Sequence, residues 1–471
     1  MSDFTTLQTA LSGLLAHRRA MEVIGHNIAN ANTDGFTRRT LSLKPVGSTG
    51  APAVFARSNS VGEGVDVVGV TRLREEFLDI KMRIALGAGG SAGQVASVMN
   101  QIEGTVPEPS DTGIAQQLSE FSGAWDDAAA NPGDVPIRTA LLEQGATLAS
   151  TINRTAAGLT DIRTQLVSQL STDVDQLNAD ARSVAGLNTA IIAATASGSD
   201  ASDLQDQRDL IIDRMGRTAG VTTRQQGDGS VDVFLGGSTL VRGGNADGLK
   251  VVIGGTLDPP YAGMPLQKVD VRWISDGYPV NQLSGEVAGK LVGIDTLVPQ
   301  YLNDLDGVAS RLVSTVNALH ATGHGLAPAD VNLNFFDPAG TTAATISVST
   351  DVAGQPSRIA LAGATGGALD GSLGHAIGGL VDSPTGAGAA YRSFIGRLGV
   401  DTQTAVRRSD IQTRITTQVD SDRKSATGVS LDEEMTSLVA TQRAFEASSR
   451  VLTAVDQLLD QLINRTGMVG R

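Results

Sequence analysis

The sequence predicts a mainly α chain with β insertions (α+β). The expected shape is elongated: helices from the two ends pair in coiled-coil seams, and a long helical bundle with small β regions lies between them. Three observations carry this. Apolar residues recur at spacings of three and four at both ends of the chain. No proline falls between Pro136 and Pro259, and the first half of that run keeps the same spacing. From Val221 the period switches to two. Periods of 3.6 and 2 are the marks of helices and strands.

In the N-terminal segment, Phe4, Leu7, Leu11, Leu14, Met21 and Ile28 fall in a strict alternation of three and four, with Arg18 and Gly25 in the remaining slots. This is a heptad stripe, made to lie against another helix. Thr5-Thr6-Leu7-Gln8 reads as a capping box at its start and Asp34-Gly35 as a turn at its end. So narrow a stripe does not hold an isolated helix together in water. Its partner must lie elsewhere in the chain or in a neighbouring copy.

Residues 37–69 alternate short apolar runs with Gly and Pro, as strands or extended linker do. A helix follows from about Arg72 to Leu86 and leads into GAGGSAG, which reads as a flexible linker. Helical spacing resumes at Val95 and breaks at Pro107 and Pro109. Ile114, Leu118, Phe121 and Trp125 mark a short helix stopped by Asn131-Pro132-Gly133. Pro136 suits a first helical turn. From there to about residue 197 a helix would run roughly 90 Å at 1.5 Å per residue. Gly145, Gly158 and Gly186 are points where it could break.

Ser202, with Gln205 three residues on, reads as the start of another helix. Residues 221–283 read as a small β region with Asp228-Gly229 as a hairpin turn. Helical spacing returns from Gly285 to His320. Residues 326–395, with strand-like TISVST and RIALAG, read as an outer β insertion. A final helical stretch, about Ile395 to Ile463, breaks at Gly428, and Ser430-Leu431-Asp432-Glu433 caps the helix behind it. That helix carries Leu431, Met435, Leu438, Gln442 and Phe445 in a seam, then Leu452, Val455, Leu459 and Leu462 after a slip. The domain expectation is therefore a terminal coiled-coil unit of 1–36 and 430–471, a helical rod of 37–325 and 396–429, and an insertion at 326–395.

The 471 residues suffice for several domains. Only 3% are aromatic while 55 are Gly, which suits elongated bundles filled with Leu, Val and Ala better than a dense enzyme core. A net charge of −14 opposes nucleic acid and anionic membranes. The absence of cysteine removes disulfides, thiolate nucleophiles and zinc–thiolate sites. No basic stretch precedes an apolar one at the N-terminus, so no cleavable signal is expected. No run approaches the roughly 18 apolar residues that would span a bilayer.

Chemistry finds no constellation, so no enzyme, cofactor or metal is expected. His320 and His324 are i, i+4, but no Glu follows His320 as a metalloprotease motif requires, and His320 reads as a packing or capping residue. Asp203, Asp206, Asp209 and Asp213 share a helical face without EF-hand spacing, and read as a solvated or salt-bridged face. Arg18-Arg19 and Arg38-Arg39, in an acidic chain, are expected to meet acidic neighbours rather than phosphate.

ALSGLLAHRRAMEVIGHNIANANTDGFTRR resembles the N-terminal signature of flagellar axial proteins, the rod, hook and hook-associated group, and GVSLDEEMTSLVATQRAFEASSRVLTAVDQLLDQLI resembles its C-terminal signature. The matching signature positions include Asn27, Asn30, Gly35, Asp432, Glu433 and Gln442. DLQDQRDLIIDRM, GSVDVFLGGSTLVRG and the segment 283–326 are similar to the hook-associated family FlgK within that group. Ser430 stands where Asn is usual, and Phe445 where Tyr is common. The resemblance implies a structural subunit that leaves the cytoplasm through the flagellar type III apparatus. It would self-assemble at the hook tip as a ring of helically arranged subunits outside the cell. The implied partners are further copies, the hook protein, the next junction protein and an export chaperone on the C-terminal helix, with no nucleic acid and no membrane. The seam residues would then be the assembly interface. The alternatives are a hook or rod protein of the same group, or a secreted adhesin-like protein with a β head.

Overall fold

A computed structural model describes residues 2–47, 64–257, 261, 266–327, 329–381 and 383–464. The chain is mainly helical, with small antiparallel sheets inserted between the helices. Helix α1 (Ser2–Asn30) leads into a hairpin of β1 (Arg39–Val46) and β2 (Gly64–Arg72), with Arg39 opposite Arg72. The backbone is already helical at Ser2, so Thr5 lies inside α1 and the expected capping box does not start it.

Helix α2 (Glu76–Thr105) runs without a break through GAGGSAG, which corrects the expectation of a linker there. The reason is packing. A Cβ on Gly90 would lie 2.4 Å from the carbonyl oxygen of Arg217, and one on Gly87 would lie 3.1 Å from the Cα of Gly220. The glycines let neighbouring helices approach α2 at backbone distance. Those contacts outweigh a propensity cost of about 1 kcal/mol per Gly.

Next come α3 (Ile114–Ala130) and α4 (Val135–Ala196). The Asp134 carboxylate accepts a hydrogen bond from the Ile137 N–H, and Pro136 sits in the first turn of α4. Its 62 residues are unbroken, about 93 Å at 1.5 Å per residue. Leu141, Leu148, Ile152, Leu159, Leu166, Leu170, Val174, Leu177 and Val184 form its buried stripe. Gly145, an anticipated break, instead makes room for a ring: its Cβ would lie 2.8 Å from Phe335.

Helix α5 (Ser202–Ala219) follows, with Ser202 as its first residue rather than its cap. The Ser202 N–H donates instead to Asp200 Oδ1 at 2.9 Å. Strands β3 (Thr222–Gln225), β4 (Val231–Leu235), β5 (Ser238–Arg242) and β6 (Asn245–Ala246) form one sheet, and β7 (Leu249–Thr256) pairs with β8 (Gln267–Trp273) in another. Both lie against α4: Asn188 Nδ2 donates to the carbonyl of Val231, and Asn178 exchanges two bonds with the backbone of Leu249. Helix α6 (Gly285–Val292) continues through a π turn at Gly293–Leu297 into α7 (Val298–His320).

Residues 326–395 are not a β insertion. Among the described residues they hold isolated bridges, such as Phe336 with Val348, and no named strand. They also contain helix α8 (Ser372–Val381) and the start of α9 (Ala387–Thr427). Turns, isolated bridges and side chains, not a ladder, take up the backbone polar groups. Asn317 Oδ1 accepts from the N–H groups of Phe335 and Phe336, and its Nδ2 donates to the Phe336 carbonyl. Arg138, wholly buried, donates to the carbonyls of Pro132 and Ile359, and burial pushes its pKa down to about 10. Phe335 and Phe336 stack on Phe121, so the segment closes over the same apolar core as α3 and α4. The last helix, α10 (Leu431–Asn464), follows the expected break at Gly428.

His320 caps this packing. Its Nδ1 bonds the Leu333 carbonyl at 2.7 Å, and Nε2 accepts from the Ala360 N–H at 2.9 Å. Only a neutral ring satisfies both. Burial pushes its pKa down to about 4. Between the ordinary value of about 6.5 and that value, the unfolded chain binds a proton that the native state refuses. Stability is therefore full above pH 6.5 and falls toward pH 4, by on the order of 3 kcal/mol from this group. In denaturant titrations at pH 7.5 and 4.5, His320→Gln is expected to shrink the acid loss by about that amount. An equal loss in both proteins contradicts the assignment.

Candidate assembly interface

α1 and α10 run antiparallel. Asn27 of α1 meets Glu434 of α10, and a Cβ on Gly13 would lie 3.6 Å from Ser448 Oγ. The side of α1 that is buried is not the predicted leucine stripe. Ala10, Ala16, Val23, Ile24 and Asn27 are buried there. Ser12 Oγ accepts from the Val65 N–H of β2 at 3.2 Å. Small residues allow the close approach, and the larger apolar stripe lies around the helix from them. Leu7, Leu14, Met21 and Ile28 are half-buried and Leu11 is exposed.

On α10, Leu431 and Met435 are 50% and 51% exposed, Leu438, Phe445, Leu452 and Leu459 are half-buried, and Val455 is buried. Leu15, Val439, Val451 and Leu458 are also exposed. The side chains of Phe4 and Leu462 lie outside the described residues. The paired helices thus keep an apolar surface that nothing in one copy covers among the described residues.

Of the signature positions, Asn27, Asn30, Gly35, Asp432 and Glu433 lie around one corner, whereas Gln442 lies further along α10. Asn27 Oδ1 accepts from the Arg39 N–H, and its Nδ2 donates to the Arg39 carbonyl at 2.9 Å and to Glu434 at 3.1 Å. Asn30 Nδ2 donates to the His26 carbonyl and its Oδ1 accepts from Thr33. Gly35 adopts φ +79°, open to glycine at little cost. Glu433 pairs with Arg38 at 3.0 Å, and its N–H lies 3.5 Å from Ser430 Oγ, the expected cap. Asp432 and Gln442 are exposed. The residue missed from the sequence is Glu434, which is buried and accepts from both Arg38, at 2.8 Å, and Asn27. An acid after Glu433, opposite a pair of arginines, was the available signal.

Arg38 and Arg39 point to opposite sides of the corner. Arg38 holds α10, whereas Arg39 pairs with Asp203 and, at 3.3 Å, with Asp206 of α5. The remaining carboxylates of α5 are taken in turn. Arg72 lies 3.0 Å from Asp206 and 2.6 Å from Asp209, and Arg74 pairs with Asp209 and with Asp79. Asp213 receives Arg83 at 3.2 Å and Arg423 at 2.7 Å. The acidic face of α5 is thus salt-bridged, and both arginine pairs behave alike in meeting carboxylates, Arg19 through Glu22. Burial holds Arg72 below its ordinary pKa against the pull of Asp206. Burial, then repulsion from Arg72, Arg74 and Arg83, pushes Arg208 down to about 9. The buried apolar residues of α1 and α10 lie outside the apolar clusters of the rod, so this ladder, with the Arg38 N–H bond to the Thr427 carbonyl and Leu210 against Gly35, ties the terminal unit to the rod.

Comparison with known proteins follows the same division. The family described as "Flagellar hook-associated protein FlgK helical domain" matches residues 99–336. "Flagella basal body rod protein" matches residues 7–37, and "Flagellar basal body rod FlgEFG protein C-terminal" matches 425–465. The chain is 28% identical over 507 residues to flagellar hook-associated protein 1 of Bacillus subtilis (strain 168), covering 100% of both. It is 25% identical over 557 residues to flagellar hook-associated protein 1 of Escherichia coli (strain K12), covering 97% of this chain and 99% of the relative. Its fold is similar to that of the flagellar hook junction protein FlgK from Burkholderia pseudomallei, with a TM-score of 0.62 and 16% identity, over 74% of this chain and 100% of the other.

Within the ladder, removing a buried partner strands the opposite charge, whereas an exposed partner is replaced by water. Arg72→Ala is therefore expected to lower stability by about 3 kcal/mol, and Asp203→Ala, whose side chain is 72% exposed, by under about 1 kcal/mol. Equal denaturant midpoints for the two variants contradict this.

Proposed function

The chain belongs to the flagellar hook-associated protein FlgK family, and from that premise we propose that it is the structural subunit that joins hook to filament. The observation that carries the reading is the pair of open apolar stripes at the two ends of the chain, Leu11 on α1 with Leu431 and Met435 on α10. A protein that stays single has no use for such a surface, because covering it is favourable at about 25 cal/mol per Å². A protein that polymerises does.

In this reading the unit of 1–36 and 430–471, together with the hairpin at 39–72, is the assembly core. The stripes cover one another between copies, with Leu7, Leu14, Met21, Ile28, Leu438, Phe445, Leu452 and Leu459 completing the contacts as neighbours close in. The rest of the rod, 73–325 and 396–429, keeps its own core and sets the subunit's length. The subunits form a ring of helically arranged copies, seated on the hook protein and receiving the next junction protein. Export runs unfolded through the type III apparatus, and a chaperone holds the C-terminal helix beforehand, since its apolar stripe would otherwise associate early. The finished location is the flagellum outside the cell. The helical-domain match favours this over a hook or rod protein. The adhesin alternative loses its motive, because 326–395 shares the rod's apolar core instead of forming a free head.

Deletion is expected to leave cells with hooks, no filaments and flagellin in the medium; normal filaments contradict the proposal. Leu11→Glu and Met435→Glu should leave the melting temperature of the monomer unchanged, because both positions are exposed, and should fail to restore filaments. Restored filaments would overturn the assignment of the stripes.

A further inference from the structure

Two histidines four residues apart lie at the end of α7, and their surroundings give them opposite chemistry. His320 meets one carbonyl and one N–H, so it works as a neutral ring. His324, just past the helix end, has a carbonyl at each ring nitrogen. Its Nδ1 lies 2.8 Å from the Gly325 oxygen and its Nε2 3.0 Å from the Gly366 oxygen. A carbonyl oxygen can only accept, and a neutral imidazole has a single N–H to give. Both bonds therefore form together only when the ring carries its second proton. The backbone of His324 is anchored as well, its N–H donating to the Ala362 carbonyl at 3.1 Å.

The ring thus bridges the end of α7 to the segment 363–371, GATGGALDG, which leads into α8. Local turns shape that segment: Gly366 N–H donates to the Gly363 carbonyl, Asp370 N–H to the Gly367 carbonyl, and Gly363 N–H to Asp370 Oδ2. Leu369 within it is 74% exposed. Its far end, Gly371, packs so closely on the Ala129 carbonyl of α3 that a Cβ would collide. The charged groups near the ring have their own partners. Asp370 is held below the ordinary carboxylate range by the Ser372 N–H and hydroxyl and the Gly363 N–H. Asp330, whose carbonyl accepts from the Gly325 N–H, pairs with Arg358 at 3.3 Å. His320 is pushed down to about 4, and His375 of α8 turns to Asp126 of α3 at 2.7 Å. The Gly325 and Gly366 carbonyls, against a smaller effect of burial, and then the Asp370 charge hold His324 above its ordinary value.

We propose that His324 is a proton-operated latch: its imidazolium form ties segment 363–371 to the end of α7, and loss of the proton frees that segment while the helices stay packed. A proton held more tightly in the native state than in the unfolded chain stabilises the native state fully below the ordinary value of about 6.5. That contribution is lost as pH rises through the raised native value. His320 runs the other way and costs stability toward pH 4. The two rings therefore bracket the pH range in which this end of the rod is fastened. Acid acts on the buried core through His320, and base acts on one surface segment through His324. The latch is a property of the single chain and does not depend on its assembly.

Amide hydrogen exchange of the full chain at pH 6 and pH 9, corrected for the intrinsic rate and normalised to buried amides of α4, reads the latch. Protection of 363–371 is expected to fall about fivefold at pH 9, the worth of one lost hydrogen bond. His324→Gln keeps a donor that does not titrate, so its protection should be the same at both pH values. His375→Gln should respond to pH as the unsubstituted chain does. Equal protection at both pH values in the unsubstituted chain overturns the proposal. So does a pH response that survives in His324→Gln or vanishes in His375→Gln. Nitrogen-15 NMR of the histidine rings needs no variant and should place the His324 midpoint above 6.5; a midpoint at or below that value also overturns the latch.

Discussion

The structure depends on one polar joint. α5 presents Asp203, Asp206, Asp209 and Asp213, and arginines from the hairpin, from α2 and from α9 close on them. The joint is where two bodies with separate apolar packing meet. Ion pairs of this kind contribute little net stability once desolvation is counted, yet a missing partner is expensive. They therefore define position more than they add strength. Arg39 and Arg72 face each other across the hairpin, so a single strand pair delivers two guanidinium groups to α5 in register. Arg38, one residue away, turns the other way to Glu434. Two adjacent residues thus set the angle between the assembly helices and the rod.

The rod is built to be long, not dense. α4 is 62 residues long, and α2, α3, α5, α6, α7 and strands β5–β7 dock along it. With few aromatic side chains available, close contact comes from glycines: at Gly87 and Gly90 backbones meet, and at Gly145 a phenylalanine ring fits. Four of the aromatic residues, Phe121, Trp125, Phe335 and Phe336, pack ring against ring in one cluster. That cluster holds residues 326–395 onto the bundle.

Long periodic segments were legible in the sequence because burying a stripe on one face repeats every three or four residues. The extent of α4, the pairing of the chain's two ends, the Gly428 break and the hairpin at Asp228-Gly229 all follow from that logic. Three features were not legible, each for a physical reason. GAGGSAG has the composition of a linker, and only its neighbours make it a helix. TISVST and RIALAG alternate like strands, but Asn153 bonds the first and His320 and Arg138 the second where a ladder would have done so. On α1 two stripes coexist, and spacing alone marked the leucines while the tight intrachain contact fell to Ala10, Gly13 and Ala16. The acidic face of α5 was readable as salt-bridged, but Glu434 at the centre of the corner was not singled out, since burial of one acid among three depends on where Arg38 reaches.

The terminal helices pair within one chain, with Gly13 near Ser448, and keep larger apolar residues such as Leu11, Leu431 and Met435 outward. That points to a subunit whose stable surroundings are other subunits, placed where hook gives way to filament. Immunogold labelling of isolated flagella tests this most directly. The account predicts label confined to a narrow band at the hook–filament boundary. Label spread along the filament, or over the cell surface, would contradict it.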